Sequence, residues 1–477
     1  MIKLRPAPSA PALSGLAFAL LSCSAGAQDP SPESLPDLEE AMGAIEDIRG
    51  LDFAEPVEAE PQTLEDFGEY VDQELDVALP AERFAGAQRA LLRLGLLREA
   101  VDLREEVRDA ILTQAGAYYD PDSKKFYYLM TGLPEVAMKT IAVHELTHAL
   151  QDQHFDLGEH LDRMQAITSQ RVRNDDVSLA LGSLVEGEAT YVMTVWQVKD
   201  TTGTDLMDPA NERAEKMSFN MMAGMSVDAM VKMTQAELEN WSDEAGSFMA
   251  DAVEGMSTIP PYIMEPLYSQ YMKGARFVMS LRQAGGWELV SRAYEEPPLS
   301  AEQVLHPEKY LSERDDPTPV VLPELAYLAD LGWVELDAAV HGEAYLDLLL
   351  RLQGASRKVA RRASEGWDGD VYHGWEGPGG EVMIALVTTW DSEQDAGEFF
   401  DAYRGILPTK YAELRELESE DEDVFRFACG EPALGEGRLV LRGREVFAVE
   451  GGDAALVDRI AGDLRAMKLG APDARDF

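Results

Sequence analysis

The sequence predicts an α+β fold: a mostly helical domain over residues 79–318 with a small β-hairpin, then a smaller α+β domain over 319–477. Three patterns predict it. Apolar residues recur at helical spacing from Pro80 onward. Two aromatic segments, Tyr118-Tyr119 and Phe126-Tyr127-Tyr128-Leu129, bracket Asp120-Pro121-Asp122-Ser123, the composition of a hairpin turn. In the last hundred residues, apolar runs of strand length alternate with helical ones.

Lys3 and Arg5 precede an uncharged, mostly apolar run, Leu13 to Leu21. It is too short to cross a bilayer, which takes ~20 residues, and has the form of an export signal over 1–27. Two processing routes stay open. One is cleavage after Ala25-Gly26-Ala27. The other is lipidation of Cys23 in the lipobox-like Leu20-Leu21-Ser22-Cys23, which would anchor the chain to lipid. Both predict export to the periplasm, cell envelope or exterior. Residues 28–78 are acidic and dotted with Pro30, Pro32, Pro36, Pro56 and Pro61, with Arg49 the one basic residue between Gln28 and Asp76. Such a segment is expected to be a solvated linker.

Helices are then expected through Leu91–Leu97 and Val101–Leu112, from Pro134 through Leu146, and over about Val177 to Val198. Met217, Met221, Met222, Met225, Met230 and Met233 are expected to pack a core on helices between 205 and 255. Pro317, Pro319 and Pro323 mark the domain boundary. Beyond it come helices near 340–365, a turn at Trp367-Asp368-Gly369-Asp370, and a strand at Glu381–Trp390. A helix over Ser392–Arg404, a strand pair around Arg442-Gly443 and a helix over Asp453–Met467 complete the chain.

Asp plus Glu total 88 against 41 Lys plus Arg, a net charge of −47. That field repels phosphate backbones and anionic lipid, which argues against nucleic acid as a partner. Two cysteines, Cys23 and Cys429, exclude a disulfide framework.

The chemistry concentrates in His144-Glu145-Leu146-Thr147-His148. Residues four apart lie one turn apart on one helix face, so His144 and His148 can grip one Zn2+. Glu145 sits about 100° round the helix, placed to take a proton from water at the ion as general base. A catalytic zinc takes a third protein ligand. Glu186 and Glu188 are candidates, and their helical phase allows only one of them to face the ion. Glu186 shares its face with Gly182 and Ser183, small residues expected to let this helix approach the metal helix. His154 is the other candidate. His144, His148 and His154 have the spacing of H-E-x-x-H-x-x-G-x-x-H, but Gln151 stands where the chain-bending glycine belongs.

His144-Glu145-Leu146-Thr147-His148 together with Gly182-Ser183-Leu184-Val185-Glu186-Gly187 resembles the gluzincin zinc metallopeptidases, across about residues 80 to 310. It is also similar to a group of exported bacterial and archaeal proteins of inferred peptidase role. The resemblance implies a zincin-like catalytic domain, zinc held by His144, His148 and Glu186, and peptide-bond hydrolysis by direct water attack on a peptide or protein substrate. Val185 stands where relatives often carry Asn. Thr190 stands where thermolysin-like enzymes carry the acid that orients a ligand histidine, so that support must come from elsewhere. Enzymes of this kind steady the oxyanion with a His or Tyr; His306 is a candidate, with Tyr310 and Tyr191 behind it. Tyr118, Tyr119 and Tyr127 lie where an edge strand would pair with extended substrate. Two rival readings remain: a non-catalytic envelope binding protein with a structural zinc site, and a metal hydrolase of a non-peptide amide.

Overall fold

The chain folds as α+β, mostly helical, with two sheets. The computed structural model describes residues 37–78, 81–114, 116–130, 135–238, 253–430 and 434–467. The export signal, Cys23 and the first part of the acidic segment lie outside these residues.

From Asp37 onward the acidic segment, expected as a solvated linker, is folded. Helix α1 (Leu38–Arg49) buries Ala41, Ile45 and Ile48, its N-terminus capped by Asp37 and its end turned by Gly50 at φ +71°. Strand β1 (Glu58–Gln62) pairs in parallel with β3, and helix α2 (Leu64–Ala78) buries Phe67, Val71 and Leu75. The high acid content masked a regular apolar face on each helix.

Helices α3 (Ala81–Leu94) and α4 (Leu103–Gln114) follow, then the expected hairpin, β2 (Ala117–Asp120) and β3 (Lys125–Leu129). The small sheet has the order β1-β3-β2, which leaves β2 at an edge. Helix α5 (Glu135–Phe155) carries the two histidines and is buried on nearly all sides from Ala137 to Asp152. It ends at Asp156, whose φ of +55° breaks it and whose side chain caps α6 (Leu157–Thr168).

After the two-residue strand β4 (Arg173–Asn174) comes α7 (Asp175–Thr202), capped by Asn174 with Asp175 and Asp176 in its first turn, and closed by Gly203 at φ +72°. Helices α8 (Glu212–Gly224) and α9 (Val227–Leu238) carry the methionines. Met222 and Met230 are buried, but Met217, Met221 and Met233 are exposed, contrary to expectation; both helices are one-sided, and three of their five methionines fall on the wet side.

Helix α10 (Pro261–Glu295) packs along α7. Glycines make the crossing close: a Cβ on Gly187 would stand 2.3 Å from the Gly274 carbonyl carbon, and one on Gly274 would stand 2.3 Å from the Ser183 carbonyl oxygen. Gly182 faces Gln270 in the same way. The small residues of α7 therefore serve its approach to α10, not to the histidine helix as expected.

Short helices α11 (Ala301–Leu305), α12 (Pro307–Leu311) and α13 (Tyr327–Asp330) lead to the second sheet. Its elements are β5 (Val334–Val340), α14 (Gly342–Leu352), α15 (Arg357–Ser364), β6 (Trp367–Glu376), β7 (Val382–Trp390), α16 (Glu393–Lys410), β8 (Arg415–Leu417), β9 (Val424–Ala428), β10 (Glu436–Arg442), β11 (Glu445–Glu450) and α17 (Ala454–Ala466). Residues 367–370, expected as a turn, open β6, where the register shifts between Trp367 and Gly369. Such a bulge admits Gly and Asp inside a strand. The strand order is β4-β5-β6-β7-β11-β10-β9-β8. One face packs on α3, α14 and α16, the other on α17 and Trp333.

Packing crosses the expected boundary at 318/319. Helix α3 lies on β5, β6 and β7, where Gly374 leaves room for Ala90: a Cβ there would stand 2.6 Å from the Ala90 Cβ. Strand β4, immediately before α7, extends the C-terminal sheet by pairing in parallel with β5. Arg173 of β4 binds the buried Asp337 of β5, which also accepts from the Tyr372 hydroxyl. The start of α7 is thus fixed by the C-terminal sheet.

Gly274→Ala should lower unfolding stability by about 1–3 kcal/mol, the cost of overpacking against backbone that cannot yield. Urea denaturation measures it; an unchanged midpoint would show that the two helices can separate freely.

Candidate metal centre

Helix α5 presents His144 and His148 one turn apart, both fully buried. Their Nε2 atoms are 3.2 Å apart. Glu186, one residue before the Gly187 crossing on α7, sends Oε2 to 3.1 Å from His144 Nε2 and 3.4 Å from His148 Nε2. Three donor atoms thus form a nearly equilateral triangle. A tetrahedral zinc with bonds of about 2.0–2.2 Å spaces its donors about 3.3–3.6 Å apart. The donor set, two imidazole nitrogens and one carboxylate oxygen, fits that ion with shifts of a few tenths of an ångström.

The tautomer of His148 follows from its partners. Gln151 donates its amide N–H groups to the Val185 carbonyl (3.0 Å) and to Glu188 Oε2 (3.2 Å), both obligate acceptors. Its Oε1 therefore faces His148 Nδ1, at 2.8 Å, and accepts from it. Nδ1 therefore carries a proton, which leaves Nε2 as the nitrogen aimed into the triangle, the one that would give its lone pair to a metal. Gln151, which the spacing marked only as a missing glycine, orients the ligand. Its place three residues after His148, on the same face, was the available signal.

Glu188 is not a ligand. It accepts from Gln151, from the Tyr294 hydroxyl and from Arg49. Arg49 is 2% exposed, also donates to Ser291 Oγ at 2.9 Å, and lies over the Trp287 ring at 4.6 Å. The one base of the acidic N-terminal segment thus neutralises the second carboxylate of α7. Thr190 Oγ1, by contrast, is buried without a hydrogen bond among the described residues.

Burial first, and then the charge of His148, lower the basicity of His144 against the pull of Glu186. Burial acts the same way on His148, but the charge of Glu186, its hydrogen bond and the charge of Glu145 outweigh it and push the ring up to about 9. Burial opposes the Glu186 carboxylate as well, yet His148 and His144 hold it down at about 2. An anion is stable here only because cationic groups converge on it.

Glu145 lies beside the triangle, with a carboxylate oxygen within 4.8 Å of a ring nitrogen of each histidine. Its Oε2 accepts the backbone N–H of Tyr119, at 3.0 Å, from edge strand β2. The Tyr119 hydroxyl donates to Asp152 Oδ2 at 2.6 Å, tying β2 to α5 a second time. Tyr118 and Tyr127 stack on each other at 5.1 Å within the hairpin.

His154 points away. Helix α5 runs unbroken through it, and its Nε2 contacts the Asp52 carbonyl at 2.9 Å. With Gln151 in place of glycine, nothing bends the chain back. His306 does not join the site either: its Nε2 lies 3.0 Å from both carboxylate oxygens of Glu343 on α14. Tyr310 donates to the Glu296 carbonyl at 2.7 Å and Tyr191 to Glu215, so both hydroxyls are committed elsewhere.

Tyr271 of α10 takes the place expected of them. It is 4% exposed, its ring is 5.9 Å from that of His144, and its hydroxyl makes no hydrogen bond among the described residues. Burial first, then the charges of Glu186 and Glu145, raise its pKa well above the ordinary phenol value. It stays a neutral donor. The close Gly187–Gly274 crossing brings Tyr271 to the histidines, a contact that no local spacing marks.

Residues 331–461 match a family described as a domain of unknown function (DUF8575). No curated protein and no solved structure matches the chain.

Arg49→Met should cost about 3–5 kcal/mol, because it strands a buried carboxylate. Adding Glu188→Gln should restore most of the loss. Chemical denaturation of the single and double variants decides; an equal loss in both would mean that Arg49 acts through its packing on Trp287 instead.

Proposed function

We propose that this chain is an exported zinc-dependent metallopeptidase with a gluzincin-like site, in which His144, His148 and Glu186 hold the ion and Glu145 is the general base. The observation that carries the reading is the donor triangle with a fixed carboxylate beside it. Zinc bound there would lower the pKa of water towards ~7 and polarise a carbonyl. Export rests on the signal-like segment 1–27. No helix among the described residues is long and apolar enough to cross a membrane.

The residues divide the work. Glu145 accepts the proton from the attacking water and returns it to the leaving amine. The Tyr119 N–H fixes the orientation of that carboxylate. Strand β2 pairs with β3 on one side, and on the other its Tyr119 N–H is taken by Glu145. The Tyr271 hydroxyl donates to the oxygen on which charge develops.

Complete burial of His144, Glu145 and His148 favours a second reading, a structural zinc site in a binding protein. Activity separates the two. Elemental analysis should find zinc in the wild type and in His154→Ala, and little in Glu186→Ala. Glu145→Gln should keep zinc and lose about 10²–10⁴ in kcat on a peptide library; full hydrolysis by that zinc-loaded variant would sink the mechanism. Tyr271→Phe should keep zinc and lower kcat by about 10²–10³ with little change in KM. A rise in KM alone would make Tyr271 a substrate contact rather than an oxyanion donor.

A further inference from the structure

A cavity of about 480 Å³ lies between α10 and the helices α14 and α15. None of His144, Glu145, His148 or Glu186 lines it. Its charged lining comprises Lys273, Arg276, Arg351, Arg357 and Arg361, with His306, against Glu265, Glu343 and Asp347. Five Lys or Arg to three carboxylates is the reverse of a chain with 41 bases and 88 acids.

The pairing within the cavity sharpens the imbalance. Arg351 takes both Glu265 and Asp347. His306 takes Glu343. All three carboxylates are therefore engaged. Lys273, Arg276 and Arg357 make no direct ion pair among the described residues, although the charges of Asp347, Glu343 and Glu265 reach Lys273 and those of Glu308 and Glu343 reach Arg276. Lys273 Nζ makes no hydrogen bond or ion pair there, although the side chain is half-buried. Arg276 donates only through Nη2, to the Val304 and Leu305 carbonyls, and its Nε is buried without a partner. Tyr268 lines the same cavity, is 8% exposed, and its hydroxyl makes no hydrogen bond among the described residues.

Desolvated cations and a stranded phenol define what would fit. A buried ammonium or guanidinium is costly unless an anion answers it. The donors without a partner are Lys273 Nζ and the Arg357 guanidinium at the cavity surface, with Arg276 Nε and the Tyr268 hydroxyl buried beneath it. A phosphate dianion brings two negative charges and several acceptor oxygens, and forked guanidinium groups suit it.

We propose that this cavity is a binding site for a phosphate group, held by Lys273 and Arg276, with Tyr268 as a neutral donor and Arg357 at the rim. The site is separate from the metal centre, and the inference does not rest on the hydrolase reading. Lys273 and Tyr271 stand two residues apart on α10, so the helix that borders the cavity also borders the metal centre.

The test is isothermal titration of the full chain with inorganic phosphate, with sodium acetate at matched ionic strength as the comparison. Phosphate should bind saturably and acetate should not. Lys273→Gln should weaken phosphate binding by at least about tenfold, the loss of one charge-assisted bond. Arg357 is exposed and makes no ion pair among the described residues, so Arg357→Ser should leave folding intact and weaken binding by about 3–10-fold. It decides the matter alone if Lys273→Gln does not fold. Absence of saturable phosphate binding by the wild type overturns the proposal. So does wild-type affinity in the folded variants, or acetate binding as tightly as phosphate.

Discussion

Two carboxylates stand two residues apart on one buried helix, and the centre depends on keeping them in different electrostatic company. Glu186 is answered by the histidines of α5. Glu188, on another face of α7, is answered by Arg49 from the start of the chain. Without that guanidinium, Glu188 would face low dielectric with only neutral donors around it. Its oxygen would then draw on Gln151, the side chain that sets the tautomer of His148. A charge requirement in the second layer thus governs the lone pair in the first.

Backbone contact supplies the second constraint. Gly187 and Gly274 allow α7 and α10 to meet with main chain against main chain, and Tyr271 arrives beside His144 as a result. At its other end α7 begins in the C-terminal sheet, through β4 and the Arg173–Asp337 pair. The ligand-bearing helix is therefore held at its start by a sheet and near its middle by a helix. Such a frame keeps donor atoms within the few tenths of an ångström that metal binding tolerates.

What the sequence revealed was whatever depends on local spacing. His144 and His148 are one helical turn apart in any helix, and Glu145 follows with them. The hairpin at 117–129 was legible from its turn residues, and α16 and α17 from their periodicity. Helical phase separates Glu186 from Glu188, and the two face different partners, although the small residues beside Glu186 face α10 instead. Contacts between distant segments were not legible. Arg49 gave no sign beyond being a lone base in acidic surroundings, and Gln151 read as a departure from a pattern. Strands β1, β5 and β6 were missed: β1 contains Pro61 and two acids, and β6 opens with Asp and Gly. Exposure of Met217 and Met221 was equally hidden, since periodicity fixes a face but not what covers it.

Helix α1 also bears on maturation. Residues 28–78 are acidic and dotted with prolines. In the folded chain that stretch carries the counter-charge of Glu188 and a strand of the small sheet. A protease that trimmed past residue 49 would strip the centre of its only nearby guanidinium contact with Glu188 and open the helix packing around it. Cleavage upstream of α1 would leave the Arg49–Glu188 pair in place.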